Sequence, residues 1–381
     1  MFEHIVEFIR NLYPNQNPVP LHAPVFIGKE KEYLCDCIDS TFVSYVGKYV
    51  TQFEEKTAQF TGAKYAIAVV NGTAALHVAL QIAGVKYGDE VITQSLTFVA
   101  TANAISHCGA KPVLIDVDLD TMGMSPQKLE DWLKENVVID SKTGKTYNKT
   151  TRHLISAIVP MHTFGFPCRI DEIVEIANKY NIPVIEDSAE SLGSFYKGKH
   201  TGTFGIAGIL SYNGNKTITT GGGGMIITDN EKFAQKAKHI TTTAKIPHPF
   251  EFVHNEIGYN YRLTNVNAAL GVAQMEYLDK ILQNKKETSI RYENFFKNLE
   301  VKFLTEPKNS IANYWLNVIQ LKDRNERETF LEFTNNNGVM TRPVWRLMNK
   351  LEMYKNCRTG DLTNSFWLED RVVNIPSGFR N

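Results

Sequence analysis

One lysine stands in an otherwise uncharged stretch of the sequence and is followed closely by four glycines. Lys216 lies within residues 209–225, and the glycines occupy 221–224. A lysine whose pKa is lowered by its surroundings readily forms a Schiff base with a carbonyl compound. The glycines let the backbone pass close to a bound molecule, and Ser211 offers a hydroxyl to a phosphate. A flexible hinge is the alternative interpretation. A P-loop is excluded because no Gly-Lys-Ser/Thr sequence follows a glycine loop.

Two adjacent acidic residues, Glu186 and Asp187, end a short apolar run, and Glu190 follows three residues after Asp187. Carboxylates are costly to bury without partners. A buried carboxylate suits the nitrogen of a pyridinium ring, because it keeps the ring protonated and able to accept electrons. The pattern also fits a helix N-terminus with acids in its first turn. Together with Lys216, Asp187 indicates pyridoxal 5'-phosphate (PLP) as the cofactor.

A glycine-containing turn follows the first predicted strand. It includes Gly72, Thr73 and Ala74 and opens a helical pattern. The N–H groups and the dipole of a helix N-terminus make such a turn a cradle for phosphate, although an ordinary strand-to-helix turn capped by threonine gives the same pattern. Phe98 follows the next strand and is placed to lie flat on a planar cofactor, but most phenylalanines simply belong to a core.

Short apolar runs alternate with amphipathic helical patterns between about residues 66 and 240. The runs predicted to be strands are Ala66–Val70, Glu90–Thr93, Pro112–Asp116, Leu154–Val159 and Pro183–Asp187. They are apolar throughout, which is typical of a mostly parallel sheet covered on both faces. This order predicts an α/β fold, in which ligands bind at the carboxyl ends of the strands.

The pattern changes after about residue 258 to longer helices and a few strands. We therefore predict two domains: residues 1–255, with an N-terminal segment and the large cofactor-binding domain, and residues 256–381, a smaller α+β domain. Residues 136–153 are polar and rich in Lys and Thr, and are predicted to form a surface hairpin.

Composition excludes several classes of protein. Lys plus Arg and Asp plus Glu both number 41 in 381 residues, so we expect neither a nucleic-acid nor a membrane partner. Five scattered cysteines match neither a disulfide framework nor a zinc motif, and we expect no metal. The N-terminus lacks the features of a signal peptide, and no apolar run reaches the roughly 18 residues of a membrane span. A cytoplasmic protein is expected.

Several short motifs, in order along the chain, resemble those of the DegT-type (DegT/DnrJ/EryC/StrS) sugar aminotransferases. They are Asn71–His77, Thr97–Thr101, Ile185–Glu190, Ser211–Lys216 and Gly258–Leu263, and the resemblance covers nearly the whole chain. The family consists of fold-type-I PLP enzymes that act on nucleotide-linked keto sugars. The resemblance implies a large domain with a mostly parallel seven-stranded sheet and a smaller C-terminal α+β domain.

The resemblance also implies which residues bind PLP. Lys216 would form the Schiff base with the cofactor, and Asp187 would pair with the pyridine nitrogen. Phe98 and Ala189 would lie against opposite faces of the ring. The residues implied to hold the phosphate are Gly72, Thr73, Ala74 and Ser211.

Two further residues complete the implied cofactor site. Glu190 would lie near the ring hydroxyl. Asn260 would reach the phosphate of the neighbouring subunit's cofactor, which implies a homodimer with shared active sites. The chain departs from the family at Gly222, where an acidic residue is common, and we interpret this as the mark of a subgroup. Relatives that dehydrate their substrate carry histidine in place of Lys216.

The C-terminal region narrows the substrate. Residues 338–345 and 374–377 resemble the enzymes that aminate C4 of nucleotide-linked 4-keto-6-deoxy sugars, most closely those of legionaminic acid and bacillosamine pathways, whose substrate is a UDP- or sometimes a GDP-linked 2-acetamido sugar. The predicted substrate contacts are His162, Asn213, Arg342 and Trp345. Packing within a small-domain strand is an equal alternative for Arg342 and Trp345, and a structural role is an equal alternative for His162.

The sequence therefore predicts a PLP-dependent aminotransferase that moves an amino group from L-glutamate to C4 of a nucleotide-linked keto sugar, for amino-sugar and surface-glycan biosynthesis. Amination at C3, or of a GDP- or dTDP-linked sugar, is the alternative. A non-catalytic sugar or cofactor sensor is the alternative from another class, and Lys216, Asp187 and Ser211 together count against it. A nicotinamide dehydrogenase would need a Gly-x-Gly-x-x-Gly turn, which the chain lacks after its first strand.

Overall fold

The computed structural model describes residues 1–380, which form α-helices and β-strands along the whole length of the chain. The helices are α1 (Phe2–Leu12), α2 (Glu30–Asp39), α3 (Lys48–Thr61), α4 (Gly72–Ile82), α5 (Val99–His107), α6 (Pro126–Asn136), α7 (Ile170–Lys179), α8 (Glu231–Thr241), α9 (Asn265–Glu276), α10 (Leu278–Phe296), α11 (Arg324–Asn336) and α12 (Thr363–Glu369). Short 3-10 turns occupy Thr163–Gly165 and Met348–Lys350.

The strands range from two to five residues in length. They are β1 (Tyr65–Val69), β2 (Glu90–Gln94), β3 (Lys111–Ile115), β4 (Val137–Ile139), β5 (Thr146–Asn148), β6 (Ile155–Val159), β7 (Ile185–Asp187), β8 (Phe195–Tyr196), β9 (Lys199–His200), β10 (Ala207–Ser211), β11 (Gly224–Thr228), β12 (Lys245–Ile246), β13 (Val253–His254), β14 (Lys302–Phe303), β15 (Ser310–Ile311), β16 (Asn317–Gln320), β17 (Arg342–Pro343), β18 (Arg358–Thr359) and β19 (Val372–Ile375).

The central sheet is mixed and mostly parallel. Hydrogen-bonded pairs give the orders β1-β11-β10-β7 and β6-β2-β3-β18, and bridges from Ile158 to Val184 and from Met161 to Asp187 place β6 beside β7. Only β11 runs antiparallel to its neighbours. The predicted seven-stranded sheet is confirmed. The C-terminal part of the chain adds β18 as an eighth strand at the β3 edge, which the sequence did not predict.

Helices cover both faces of this sheet, which explains why its strands are apolar throughout. Side chains alternate between the two faces along each strand. In β1, Ile67 and Val69 pack with residues of α4 and α8, whereas Ala68 packs with residues of α3 and α9. Two separate apolar cores therefore hold the strands whose carboxyl ends reach the site described below.

A second, antiparallel sheet lies in the C-terminal part, in the order β14-β16-β19-β17. Its core contains Val318 from β16, Val373 from β19 and Phe330 from α11, all completely buried. The polar residues 136–153 form the antiparallel pair of β4 and β5, so the predicted hairpin is confirmed. Within residues 1–380, every helix is either too short or too polar to cross a membrane.

The N-terminal helix packs with the C-terminal core. Ile5 and Ile9 of α1 are completely buried in the same core as Phe330, and the ring of Phe2 meets that of Phe330 edge-on at a centroid distance of 5.1 Å. The domain boundary at residue 255 remains a proposal. This packing indicates that α1 shares a core with the small domain.

We expect Ile9→Ala to destabilise the small domain, because deleting a fully buried isoleucine side chain costs about 2–5 kcal/mol. Glu7→Ala, on the exposed face of the same helix, is the matched control. Urea unfolding followed by circular dichroism measures both variants. Equal stability of the two would show that α1 does not contribute to this core.

Candidate active site

The carboxyl ends of β1, β10 and β7 meet at one edge of the central sheet and border a cavity of about 240 Å³. Nine of the predicted site residues line it: Gly72, Thr73, Phe98, Asp187, Ala189, Glu190, Ser211, Asn213 and Lys216. These residues come from four separate turns that follow strands. The sheet therefore brings together most of the residues that the sequence singled out.

One corner of the cavity is built to hold an anion. Helix α4 begins at Gly72, and the side chain of Asn71 accepts a hydrogen bond from the N–H of Ala74 at 2.8 Å. The first N–H groups of a helix have no carbonyl partner within that helix, and its dipole favours negative charge there. Ser211 lies opposite, so close that a Cβ on Gly72 would be 3.5 Å from the Ser211 hydroxyl. Backbone N–H groups and a hydroxyl thus converge, as at many phosphate sites.

Glycine at position 224 allows this corner to form. Gly224 pairs with Val69 across the sheet and passes directly beneath the start of α4. A Cβ at this position would lie 2.4 Å from the carbonyl carbon of Asn71. By contrast, a Cβ on Gly222 would have no neighbour closer than 3.9 Å.

Asp187 also lines the cavity and is only 5% exposed. One carboxylate oxygen accepts a hydrogen bond from the Thr101 hydroxyl at 2.7 Å, and the other accepts one from the N–H of Ala189 at 3.2 Å. The Thr101 hydroxyl also lies 2.9 Å from that of Thr97. These partners offset the cost of burying the carboxylate and fix its orientation.

Lys216 lines the same cavity. Its side chain is 12% exposed, and its Nζ lies 3.1 Å from Oε1 of Glu190. The same nitrogen lies 3.8 Å from the ring centroid of Trp315. The amine is therefore held between a carboxylate and the face of an indole ring.

Glu190 is almost completely buried. Its Oε2 accepts the N–H of Phe164 at 2.8 Å, and Phe164 adopts a left-handed backbone conformation, with φ +57°. Such a conformation is strained for a phenylalanine and is typical of functional sites. Burial raises the pKa of the Glu190 carboxyl to about 7, although the Lys216 ammonium opposes the rise. A carboxyl group with this pKa can exchange a proton near neutral pH.

One aromatic ring, that of Phe98, lines the cavity and forms its outer wall, and two further rings lie outside the lining. Phe98 is 46% exposed, and its ring centroid lies 5.9 Å from that of Trp345. The ring of Trp345 in turn lies 4.7 Å from that of Phe164. The site thus combines a reactive amine, two carboxylates, an anion-binding corner and a flat apolar wall.

Comparison with known proteins identifies the family. The sequence profile of the DegT/DnrJ/EryC1/StrS aminotransferase family matches residues 26–380. The chain belongs to this family.

Similar proteins agree with this assignment. A GDP-perosamine synthase from Escherichia coli O157:H7 is 39% identical over 336 residues, which cover 88% of this chain and 87% of the relative. EpsN from Bacillus subtilis, 38% identical over 94% of this chain and 90% of its own length, bears the name of a PLP-dependent aminotransferase. The crystal structure of a DegT DnrJ EryC1 StrS aminotransferase from Brucella abortus covers 92% of this chain and 90% of its own, with a TM-score of 0.82 and 25% identity.

This protein is accordingly a PLP-dependent sugar aminotransferase of fold type I. The lining of the cavity fits the cofactor, because the anion corner at α4, the amine of Lys216 and the carboxylate of Asp187 match in kind the phosphate, the aldehyde and the ring nitrogen of PLP. Within residues 1–380, no cluster of three side chains suited to a metal ion occurs.

The structure places His162 away from the cavity. The side chain is completely buried, and its Nε2 lies 3.1 Å from the carboxylate of Glu186. Its Nδ1 accepts the N–H of Cys168 at 3.2 Å. Both ring nitrogens are engaged within the protein, so this position agrees with the structural alternative for His162 and not with a substrate contact.

Four other predicted residues also lie outside the cavity lining: Arg342, Asn260, Ala74 and Trp345, the last of which packs against the core of the small domain. Arg342 is exposed on β17, where its guanidinium donates to the side chain of Asn335 at 2.9 Å, so it does not point into this site. Asn260 is exposed, and its backbone pairs with Thr242. The N–H of Ala74 is occupied by the cap from Asn71 and is not available to a phosphate.

Three residues that border the site were not predicted for it. Thr101 holds Asp187, and Trp315 and Asn313 approach Lys216 from the small domain. Thr101 lies inside a motif that the sequence did single out. Trp315 and Asn313 lie about one hundred residues from Lys216, so no local pattern could have revealed them.

We expect Gly224→Ala to weaken PLP binding about ten-fold or more, a loss of about 1.4 kcal/mol, because the added methyl group displaces the start of α4. Gly222→Ala, in the same glycine run but with room for a Cβ, is the matched control. Titration of the cofactor-free proteins with PLP, followed by absorbance, measures both affinities. Equal affinities in the two variants would show that α4 does not hold the phosphate.

The raised pKa of Glu190 also predicts a pH dependence of stability. A carboxyl whose pKa rises from 4.5 to about 7 on folding stabilises the protein at low pH, and this contribution is lost as the pH rises through that interval. As the pH rises from 4.5 to about 7, we expect the free energy of unfolding of the cofactor-free protein to fall by up to about 3 kcal/mol more than that of Glu190→Gln. Urea unfolding at several pH values between these limits measures the difference. Parallel pH profiles for the two proteins would contradict the prediction.

Proposed function

We propose that this enzyme transfers the amino group of L-glutamate to C4 of a nucleotide-linked 4-keto-6-deoxy sugar. The observation that carries the proposal is the position of the Lys216 amine, 3.1 Å from Glu190, in a cavity whose lining also includes the start of α4 and Asp187. The family supports amino transfer to a sugar, and the alternative of a non-catalytic sensor does not explain a complete set of reactive groups.

The roles of the residues follow from their surroundings. When bound, PLP withdraws electrons from the carbon atom that bears the amino group, so that this carbon releases its proton more easily. Asp187, oriented by Thr101, keeps the ring nitrogen protonated. Lys216 removes the proton from this carbon atom as general base and delivers it to another carbon atom as general acid. Glu190 holds the lysine amine in place and, with a pKa of about 7, can accept or return a proton.

The outer wall of the cavity is the proposed site for the sugar. Phe98 presents a flat apolar face there, which suits the apolar face of a hexose ring, and Trp345 lies next to it outside the lining. Asn213 offers a polar side chain in the same lining. We do not place Arg342 at the sugar site formed within one subunit, because it lies on β17 and bonds to Asn335.

Two nucleotides, GDP and UDP, are candidates for the group that carries the acceptor sugar. The Escherichia coli relative is a GDP-perosamine synthase, and perosamine carries its amino group on C4 of a 6-deoxy sugar, so a GDP-linked 4-keto-6-deoxy sugar is our first candidate. The second is the UDP-linked 2-acetamido sugar indicated by the resemblance of residues 338–345 and 374–377 to enzymes of legionaminic acid and bacillosamine pathways.

We also propose a homodimer with shared active sites. The segment before Asn260 carries Phe250, Phe252 and Ile257, which are 93%, 82% and 86% exposed. Exposed apolar side chains in such number mark a surface for another protein. A second subunit that covers them would also lie beside Asn260, as the predicted contact with the neighbouring cofactor requires.

The proposal predicts two half-reactions that can be measured separately. With L-glutamate alone, the PLP-loaded protein should form 2-oxoglutarate once per active site, and continued turnover should require a keto sugar. GDP-4-keto-6-deoxymannose and UDP-2-acetamido-4-keto-6-deoxyglucose are compared as acceptors, and mass spectrometry detects the aminated products.

Lys216→Ala should abolish both half-reactions, whereas Lys280→Ala, at an exposed lysine on α10, should leave them unchanged. Formation of 2-oxoglutarate without any aminated sugar would reject both acceptors. If the wild-type protein forms neither product, the proposed function is wrong.

A further inference from the structure

A short segment of the small domain reaches into the floor of the active site. Residues 313–315, called here the 313–315 segment, lie one residue before β16 and are almost completely buried. Their side chains contact the large domain on both sides of Lys216. None of the family motifs described above contains these residues.

Trp315 makes two contacts with the lysine region. Its ring centroid lies 3.8 Å from the Lys216 Nζ, and its indole N–H donates to the carbonyl oxygen of Asn215 at 2.6 Å. The face of an indole attracts a cation without accepting a proton from it. One side chain therefore fixes both the amine and the backbone that precedes it.

Asn313 fixes the other side of the lysine. Its Nδ2 lies within hydrogen-bond distance of the Thr217 hydroxyl, at 3.2 Å, and of the carbonyl oxygen of Glu190, at 2.9 Å. Its Oδ1 accepts the N–H of Trp315 at 2.8 Å. The residues on both sides of Lys216, and the backbone of its carboxylate partner, are thus tied to one segment.

The large domain leaves space for this segment. Gly165 has φ +93°, and a Cβ there would lie 1.9 Å from the Oδ1 of Asn313. The Ser194 hydroxyl accepts the N–H of Asn313 at 3.0 Å and donates to the carbonyl oxygen of Gly165 at 2.7 Å. Shape and hydrogen bonding therefore both specify where Asn313 sits.

A buried lysine anchors the segment from behind. Lys285 of α10 is 1% exposed, and its ammonium donates to the carbonyl oxygen of Trp315 at 3.2 Å and to that of Ser377 at 2.8 Å. It also lies 2.8 Å from the Nε2 of His22. These bonds hold the backbone of Trp315 against α10 and the C-terminal loop.

We propose that Trp315 is a positioning residue that keeps the amino group of Lys216 beside Glu190 whenever this group is not bonded to the cofactor, while Asn313 fixes the backbone on both sides. The proposal rests on the proposed function, in which Lys216 must move a proton after it has left the cofactor. In a site that is nearly closed to water, an amine free to rotate would spend part of its time out of reach of the reacting carbon atom. The indole face prevents this rotation without competing for the proton.

The test uses Trp315→Leu, which removes the ring, and Trp315→Phe, which keeps a ring face but not the N–H donor. Trp367→Leu is the matched control, because Trp367 of α12 also stacks on a cation, Arg371, at 4.6 Å. We expect kcat to fall about ten- to a hundred-fold in Trp315→Leu with little change in KM, and to recover partly in Trp315→Phe. The isotope effect with α-deuterated L-glutamate should rise in Trp315→Leu, because proton transfer becomes the slow step.

A second readout does not depend on activity. In the cofactor-free proteins, trinitrobenzenesulfonate labels accessible amines, and peptide mass spectrometry follows Lys216 alone. Labelling of Lys216 should be several-fold faster in Trp315→Leu than in the wild-type protein or in Trp367→Leu. If Trp315→Leu does not fold, Trp315→Phe is compared in the same way and should show a smaller increase.

The two proposals can fail separately. Wild-type rates of labelling and an unchanged isotope effect in the folded Trp315 variants would overturn the positioning role, even if the wild-type protein transfers amino groups. Faster labelling in Trp315→Leu, in a protein that aminates no sugar, would support the positioning of the amine and contradict only the proposed function.

Discussion

The active site depends on one constraint, which is the burial of an ammonium group and two carboxylates at a single edge of a sheet. Charged groups that leave water cost several kcal/mol unless they find partners. Here Lys216 lies against Glu190, Glu190 accepts the N–H of Phe164, and Asp187 accepts the hydroxyl of Thr101. The surrounding helices and strands are arranged so that these partners meet.

The pairings explain several features that would otherwise look unrelated. Phe164 takes a left-handed conformation, which directs its N–H at Glu190. Behind this layer, Glu186 accepts three backbone N–H groups, from Gly202, Phe204 and Gly205, and contacts the ring of His162. This second network holds β7 in register, so that the next residue, Asp187, faces the cavity. Of the two adjacent acids, Glu186 therefore has a structural role, and Asp187 lies at the cofactor site.

The sequence predicted the parts of the site that follow from local patterns. Strands that are apolar throughout, each followed by a polar turn, were enough to place Lys216, Asp187 and Ser211 at one edge of a sheet. The family resemblance added Ala189 and a role for Glu190, and both residues line the same cavity. Such predictions succeed because side chains alternate between the two faces of a strand and parallel strands end on the same side of a sheet. Few alternative positions then remain for the residues at the strand ends.

Contacts between residues far apart in the sequence could not be predicted from it. Trp315 binds the carbonyl oxygen of Asn215 across 100 residues, and β18 joins the central sheet from the C-terminal region. His162 lies just past the carboxyl end of one strand and Asp187 ends another, and only the position of Glu186 shows that the ring of His162 turns inward. Arg342 likewise bonds within the small domain. The direction of these side chains depends on tertiary packing, which a single sequence does not record.

We propose that Lys216, and no other lysine, holds the cofactor. Reduction of the PLP-loaded protein with borohydride, followed by peptide mass spectrometry, tests it directly. Lys285 is the informative rival, because burial lowers the pKa of its amine to about 7 and an unprotonated amine is what PLP requires. We expect a phosphopyridoxyl group on Lys216 and none on Lys285. Stoichiometric modification of Lys285, or of a surface lysine, with Lys216 unmodified would contradict it.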